Sequence, residues 1–502
     1  MKPIQLLRTE NTITLHRQRA CQELVFVILV ENIAFEKLVE VHWAGDDKVW
    51  HTLQATHRSS AGNNLEIWRA QATLDPFEGA RLHGDVEFAL HYRVLGMDFW
   101  DKAGSYNYLS MANCGLLLGQ SARLLNIDFN PVLSEAQRYY PVTVAVRQSL
   151  RPRRVYTHWT ADNWRSTHIA PCFLTMLQED HRSGSAREPF LYGTSTWLTQ
   201  IDAGHAFRIE YAIACETRNR TIWDNNFGRN YVAHRRRLKI LTLNLHCYQE
   251  ENQDAKLSQI AKAINDLDID IVCLQEVAEP WEAGQGNWNS NAAKLIRDRL
   301  RWHYHLYTDW SHIGFDRYRE GVAVLSRYGF LMTDAGYVSS GRDVRSIDSR
   351  KVAMVQVDVP YIGILNIFSV HLSWPSGGFY EQFDRLRGWA NHKHGEHLAA
   401  TFLCGDFNIK AGSQPYEAIV QGREYEDQYL AAASPDAFET IFRSQPQDIG
   451  SQLAADDRID FIFMRKYSGL HAVAAYQVFT TGDDYGRVSD HAGYCVEFEP
   501  GW

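Results

Sequence analysis

The sequence predicts a multidomain protein, two all-β sandwiches followed by an α/β domain, and three observations carry that expectation. At 502 residues the chain is long for one domain, and two to four is the natural expectation. Near residue 233 the pattern changes: short β-rich runs separated by turns give way to apolar strands alternating with a helical-period stretch. The landmarks of the first β block also recur in the same order before that boundary, as a duplication requires.

Composition narrows the function classes. A 45% hydrophobic, 22% charged chain can build several cores. With 51 Lys+Arg against 60 Asp+Glu, the formal charge of -9 gives no long-range basic field. That disfavours a processive nucleic-acid binder without excluding a nuclease with a local cation site. The start, Met1 to Arg8, lacks the apolar core of a signal peptide, and no later stretch approaches a membrane span. The 8 cysteines are scattered without a Cys-x-x-Cys, so they read as reduced core residues of a cytoplasmic protein and offer no structural zinc site.

The first block contains Leu24 to Val30, then Asn32-Ile33-Ala34-Phe35-Glu36-Lys37 and Val39-Glu40-Val41-His42-Trp43. It closes with Val86 to Val94 and Phe99-Trp100-Asp101 through Tyr108. In the second block Val155 to Trp159 answers the segment ending at Trp43, Phe207 to Ile213 answers the paired strand, and Ile222 to Tyr231 answers the close. The expected boundaries are 1–112 and 135–232 for the sandwiches, with 113–134 as a connector holding some packed residues, and 236–502 for the α/β domain. His234-Arg235-Arg236-Arg237 reads as a solvated linker face.

The close Trp223-Asp224-Asn225-Asn226-Phe227-Gly228-Arg229-Asn230-Tyr231, with the Asn32 to Lys37 segment, resembles the starch- and glycogen-binding modules of family 21, also found in glycogen-targeting phosphatase subunits. The resemblance implies an α-glucan partner. Aromatic faces stack on glucose rings and Asn amides reach hydroxyls, so Asn225, Asn226 and Asn230 are candidate sugar contacts, with Trp223 either a platform or structural. The first copy has Lys102 and Ala103 where the two Asn belong.

In the α/β part, Leu238 to Leu245 is a strand delivering Asn244, Leu257, Ile260, Ala261, Ile264 and Leu267 share a helical face, and Ile271 to Glu276 is a buried strand ending on Glu276. That order suggests adjacent strands with both polar tips at one edge. Ile364 to Trp374 follows, carrying His371. Phe402-Leu403-Cys404-Gly405-Asp406-Phe407-Asn408 reads as a buried strand ending in an exposed acidic loop. Then come Arg458-Ile459-Asp460-Phe461 and Ser489-Asp490-His491. Each apolar run borders a polar group that apolar packing would not select.

In this order the motifs resemble the endonuclease/exonuclease/phosphatase superfamily. The fold class implied for the whole chain is two immunoglobulin-like β-sandwiches plus a four-layer, DNase I-like α/β sandwich. The resemblance implies hydrolysis of a phosphoester by in-line water attack, with Mg²⁺, or alternatively Mn²⁺, as cofactor. Glu276 is implied as the main metal carboxylate, and Asn244 and Asp490 as residues that complete or position the metal shell. Asp460 is implied to orient His491, Asp406 the attacking water, Asn408 to bind phosphoryl oxygen, and His371 to bind phosphate or assist the leaving group. Either Asp406 or His491 is the base. For Arg327, Arg350 and Lys351 a solvated face is at least as good a reading, and His303, His305 and His312 are assigned no metal. Two alternatives stay open: a nuclease or other phosphodiesterase whose β modules serve packing, and a non-catalytic glycan-binding scaffold. The oligomeric state is not legible.

Overall fold

The computed structural model describes residues 2–16, 19–175, 187, 188, 190–444 and 448–501. The chain forms two compact units, Met1–Arg236 and Arg237–Trp502.

The first unit holds two β-sandwiches with the same strand pairing. In the first, Ile4–His16, Arg19–Glu31, Leu65–Leu74 and Thr56–Ala61 form one sheet. Trp50–Gln54, Lys37–Ala44, Val86–Val94 and Met97–Asp101 form the facing sheet. In the second copy the corresponding orders are Leu124–Asn126, Tyr139–Arg147, Thr194–Asp202 and Phe173–Leu174, facing His168–Pro171, Arg154–Thr160, Arg208–Glu216 and Thr221–Asp224. Alternation builds both cores: Leu24, Phe26, Ile28 and Val30 meet Val39, Val41 and Trp43 in one, and Val142, Val144 and Val146 meet Ile209, Tyr211 and Ile213 in the other.

The Trp-Asp of each closing motif has a structural use. Asp101 accepts from Leu6 N at 2.9 Å and Tyr108 OH at 2.8 Å. Asp224 accepts from Asn126 N and Tyr231 OH, both at 2.8 Å. The same buried carboxylate thus ties the first strand to the closing tyrosine in both copies. Residues 113–134 also pair with both sandwiches, Leu117–Leu118 against the first strand and Leu124–Asn126 against the second copy. Leu7, Leu29, Leu65, Leu118 and Leu125 form a small core between the modules.

The basic run after Tyr231 departs from its solvated reading. Arg235 is fully buried, and its guanidinium donates to five backbone carbonyls, those of Ala206, Ser134, Glu135, Gln137 and Gly204. A planar fork of five N–H donors matches these five carbonyls.

The second unit has four layers. One sheet runs His305–Gly314, Tyr318–Ser326, Ile271–Glu282, Leu238–Asn244, Gly493–Pro500, Leu470–Val478. The other runs Phe330–Tyr337, Lys351–Val359, Gly363–His371, Leu398–Asp406, Asp460–Arg465, Tyr425–Asp427. The sheets face each other through Ile240, Ile271, Cys273 and Val496 against Val355, Ile367, Phe402 and Ile462. Helices Gln253–Asp266 and Ala292–Arg297 cover the first sheet, and Phe379–Lys393 and Gln414–Gln421 the second. Each sheet holds one parallel pair made by a strand–helix–strand unit: Leu238–Asn244 beside Ile271–Glu282, and Gly363–His371 beside Leu398–Asp406. The carboxyl ends of both pairs carry the polar residues singled out in the sequence.

Candidate active site

Glu276 is positioned by an irregularity. The strand does not end there but continues to Glu282, and its register with Tyr318–Ser326 shifts between Leu274 and Val277. Glu276 sits in this bulge with φ +47°, a left-handed conformation that a side chain adopts only when its surroundings impose it. The bulge turns the carboxylate toward Asn244, whose Nδ2 donates to Glu276 Oε1 at 2.9 Å and to Asp406 Oδ2 at 3.0 Å. The oxygen of that amide accepts from His246 N at 3.0 Å, so Asn244 holds two carboxylates together rather than presenting its oxygen to them.

Asp406 differs from the exposed loop residue that its sequence suggested. It is the last residue of its strand, paired with His371 on one side and Asp460 on the other, and is 1% exposed. Gly405 makes this approach work, because a Cβ there would lie 1.9 Å from the Val370 carbonyl oxygen. Asp406 Oδ1 accepts from Asn408 N at 2.8 Å, while Oδ2 faces His371 Nε2 at 3.6 Å and His491 Nε2 at 3.9 Å. Burial, and then the charge of Asp460, push its carboxyl up to about 7. Asn408 Nδ2 donates to the Leu372 carbonyl at 2.8 Å, which commits one of its two amide hydrogens.

His491 Nδ1–H donates to Asp460 Oδ2 at 2.7 Å, directing Nε2 into the site. Burial works to lower this imidazole, but the bond and charge of Asp460, with Asp406 and Asp490, outweigh it and raise it to about 9. Asp460 Oδ1 is buried without a hydrogen-bond partner among the described residues. Asp490 is exposed at the mouth, with Oδ1 3.9 Å from His491 Nε2 and 3.7 Å from His246 Nδ1.

Arg350, for which a solvated face was at least as good a reading of the sequence, lies in this site. It donates to His371 Nδ1 at 3.3 Å and to Ser373 Oγ at 3.3 Å. With Nδ1 accepting, the proton of neutral His371 lies on Nε2, facing Asp406 and, at 4.0 Å, Glu276. Burial and then Arg350 hold His371 well below the usual histidine range. Glu320 is a residue the sequence reading missed: burial, then the charge of Glu276, push it up to about 7, and His312 Nε2 lies 3.6 Å from it. The signal available was the Tyr318-Arg319-Glu320 run opening an apolar strand. Arg327 and Lys351 instead pair with Asp268 and Asp309.

The donor set suits a hard divalent cation. Ligand atoms of Glu276, His371 and Asp406 lie within 4.8 Å of one another, as do those of Asp406, Asp460 and His491. Carboxylate oxygens predominate, and the unbonded Asp460 Oδ1 leaves one buried acceptor unmatched.

In the second β module Trp223 is half exposed, against His158 at a 5.2 Å ring distance, and Asn225 is exposed. Asn226, offered by the sequence as a sugar contact, is buried, and its Nδ2 donates to the Asn230 carbonyl at 3.1 Å. Gly62 N of the first module donates to the Asn226 backbone carbonyl at 2.9 Å. Asn230 Nδ2 donates to Glu210 Oε1 at 2.7 Å. The first module exposes Phe35, Tyr106 and Trp100, the last stacked on His91 with ring centres 4.4 Å apart.

Comparison with known proteins agrees with this architecture. The endonuclease/exonuclease/phosphatase family model matches residues 241–491, half of the chain. The carbohydrate/starch-binding module (family 21) model matches twice, over 7–110 and 130–234. Mouse protein phosphatase 1 regulatory subunit 3E is 35% identical over 79 residues, 16% of this chain and 28% of that protein. The uncharacterized protein YbhP of Escherichia coli K12 is 29% identical over 184 residues, 34% of this chain and 66% of its own. The chain thus spans less than two thirds of either relative. Among solved structures, an endonuclease/exonuclease/phosphatase family protein from Leptotrichia buccalis is 27% identical with a TM-score of 0.43, covering 52% of this chain and 99% of that one. Among the described residues, no helix is long and apolar enough to cross a membrane.

Proposed function

Because the chain belongs to the endonuclease/exonuclease/phosphatase family and carries two family 21 modules, we propose that it is a divalent-metal-dependent phosphoesterase held on glycogen or a related α-glucan, hydrolysing a phosphoester borne by or found near that glucan. The observation that carries the catalytic part is the convergence of Glu276, His371, Asp406, Asp460 and His491 from the ends of two facing sheets.

Mg²⁺, or Mn²⁺, would be held by Glu276, with Asp490 and Asn244 completing or positioning its shell, and would offset charge on the phosphoryl oxygens. The protein groups divide the remaining work. Asp406 orients the attacking water and takes its proton, a task suited to a carboxyl whose affinity for protons is raised by burial. His491, its Nδ1–H fixed on Asp460, presents Nε2–H to phosphoryl or leaving-group oxygen. His371 presents a second N–H, its tautomer set by Arg350. Asn408 offers its remaining amide hydrogen to a phosphoryl oxygen.

Glucan retention is assigned first to the second module through Trp223 and Asn225, with the exposed aromatics of the first as secondary contacts. A cytoplasmic location fits the eight unpaired cysteines. The reading is tested by phosphate release from phosphorylated α-glucans, sugar phosphates, inositol phosphates, nucleotides and nucleic acid, with glycogen retention measured on the same full-length protein. Release confined to nucleic acid, with no retention on glycogen, would replace it with the nuclease reading.

A further inference from the structure

The rim of the first β module carries a second constellation, remote in sequence from the phosphoesterase residues and unused by them. One ligand atom each from Asp47, His51 and His83 lies within 4.8 Å of the others. His83 Nδ1 is 3.4 Å from Asp46 Oδ1 and 3.6 Å from Asp47 Oδ2. Ligand atoms bonded at about 2.0–2.1 Å to a tetrahedral zinc stand roughly 3.3–3.4 Å apart, so His83 and Asp47 already stand at nearly the edge length of such a site.

The nitrogens concerned are not otherwise used. His83 is 7% exposed, and its Nδ1 is buried with no hydrogen-bond partner among the described residues; the same holds for His51 Nε2. Two buried, unbonded imidazole nitrogens on one rim are costly unless something accepts their lone pairs. The surroundings also hold the rings in place. Gln22 Oε1 accepts from the backbone N–H of His83 at 2.8 Å and of Gly84 at 3.2 Å. A Cβ at Gly45 would meet the His83 Cβ at 2.3 Å, so only glycine admits the ring there. Trp43, itself buried, stacks on His51 at 4.6 Å and meets His83 edge-on at 5.3 Å, giving the site an apolar wall. The acids are oriented as well: Asp47 Oδ1 accepts from Val49 N at 3.0 Å, and Asp46 Oδ2 pairs with Arg81 at 2.8 Å, leaving the opposite oxygen of each toward His83.

We propose that the first β module binds a zinc-type divalent ion through His51, His83 and Asp47. Two imidazoles with a carboxylate favour zinc and its neighbours over Mg²⁺ or Ca²⁺. The ion fastens the 45–47 turn and the Trp50–Gln54 strand to the segment at His83, clipping the rim of a module whose sugar-facing Asn pair is replaced by Lys102 and Ala103. The cysteines offer no zinc site; the histidines do.

The test is metal binding by the full-length protein in a Glu276→Ala background, which weakens competition from the phosphoesterase site. Zn²⁺ retained after dialysis and the visible absorption of bound Co²⁺ are measured for that protein and for versions also carrying His51→Gln, Asp47→Asn or His83→Gln. The expected result is one equivalent of Zn²⁺ fewer and no tetrahedral Co²⁺ spectrum in each of these versions, with Zn²⁺ in the Glu276→Ala protein not displaced by excess Mg²⁺ and a zinc-dependent rise in Tm that the other versions lack. Should His83→Gln disturb folding, the more exposed His51→Gln decides. Equal zinc retention in the Glu276→Ala protein and in His51→Gln, or ready displacement by Mg²⁺, overturns the proposal and leaves His83 as a plain ion-pair partner of Asp46 and Asp47.

Discussion

Buried aspartates of the two units show how structure and chemistry can be told apart. Asp224 of the second β module accepts from Asn126 N, Asn226 N and Tyr231 OH. Every face of that carboxylate is used. In the second unit Asp460 spends Oδ2 on His491 and leaves Oδ1 without a partner among the described residues, and Asp406, bonded by Asn408 N and Asn244 Nδ2, also faces two imidazoles at 3.6 and 3.9 Å, beyond hydrogen-bond reach. Burial raises the proton affinity of all three. The saturated carboxylate holds a fold together; the unbonded oxygen of Asp460 keeps capacity in reserve for a ligand.

The largest effect that would break this contrast is catalytic. His491→Ala is expected to lower kcat for phosphate release by about 10²–10⁴-fold, the usual contribution of a positioned proton donor, with thermal unfolding little changed. A Tm loss that accounts for the fall in activity would make His491 structural after all. Asp224→Ala is expected to do the reverse. It strands a tyrosine hydroxyl and two backbone N–H groups, costing on the order of 2–4 kcal/mol of module stability, seen as a lowered denaturation midpoint with phosphate release intact. Asp101→Ala should behave alike if the two modules are built alike.

A smaller effect concerns the glucan face. Trp223→Ala is expected to weaken glycogen retention roughly 5–10-fold through the loss of one stacking platform, whereas Asn226→Ala should act through loop stability and leave the affinity of the folded protein unchanged. A selective affinity loss in Asn226→Ala would return that residue to the sugar. The smallest effect is on pH. His491 is protonated below about 9, so activity that needs Nε2–H should fall as pH rises through that value. Asp460→Asn removes the principal raising influence and should move this limb downward, toward the ordinary histidine value near 6.5. An unmoved alkaline limb would assign it to another group.

Most of the fold was legible because alternation and strand–helix–strand order are local signals. Val39, Val41 and Trp43 announce a sandwich face, and the run from Leu238 through the helix to Ile271 announces a parallel pair. The strand-end polar groups were legible because Asn244, His371 and Asp406 interrupt apolar runs. What escaped was decided by register and by distant partners. The bulge at Glu276 depends on its pairing with Tyr318–Ser326, and the burial of Asp406 depends on lying between His371 and Asp460. Arg350 and Arg235 looked like surface cations because nothing nearby in sequence shows a histidine nitrogen or five carbonyls waiting for them. Asn226 is buried with its amide on the Asn230 carbonyl and its own carbonyl taken by Gly62 of the other module.

The most direct test of the central claim is phosphate release from phosphorylated α-glucan by the full-length protein with Mg²⁺, compared among wild type, Glu276→Ala and His491→Ala after each has been shown to unfold at the wild-type temperature. Release by the wild type and its loss in both variants are expected. Undiminished release in both variants would contradict the claim.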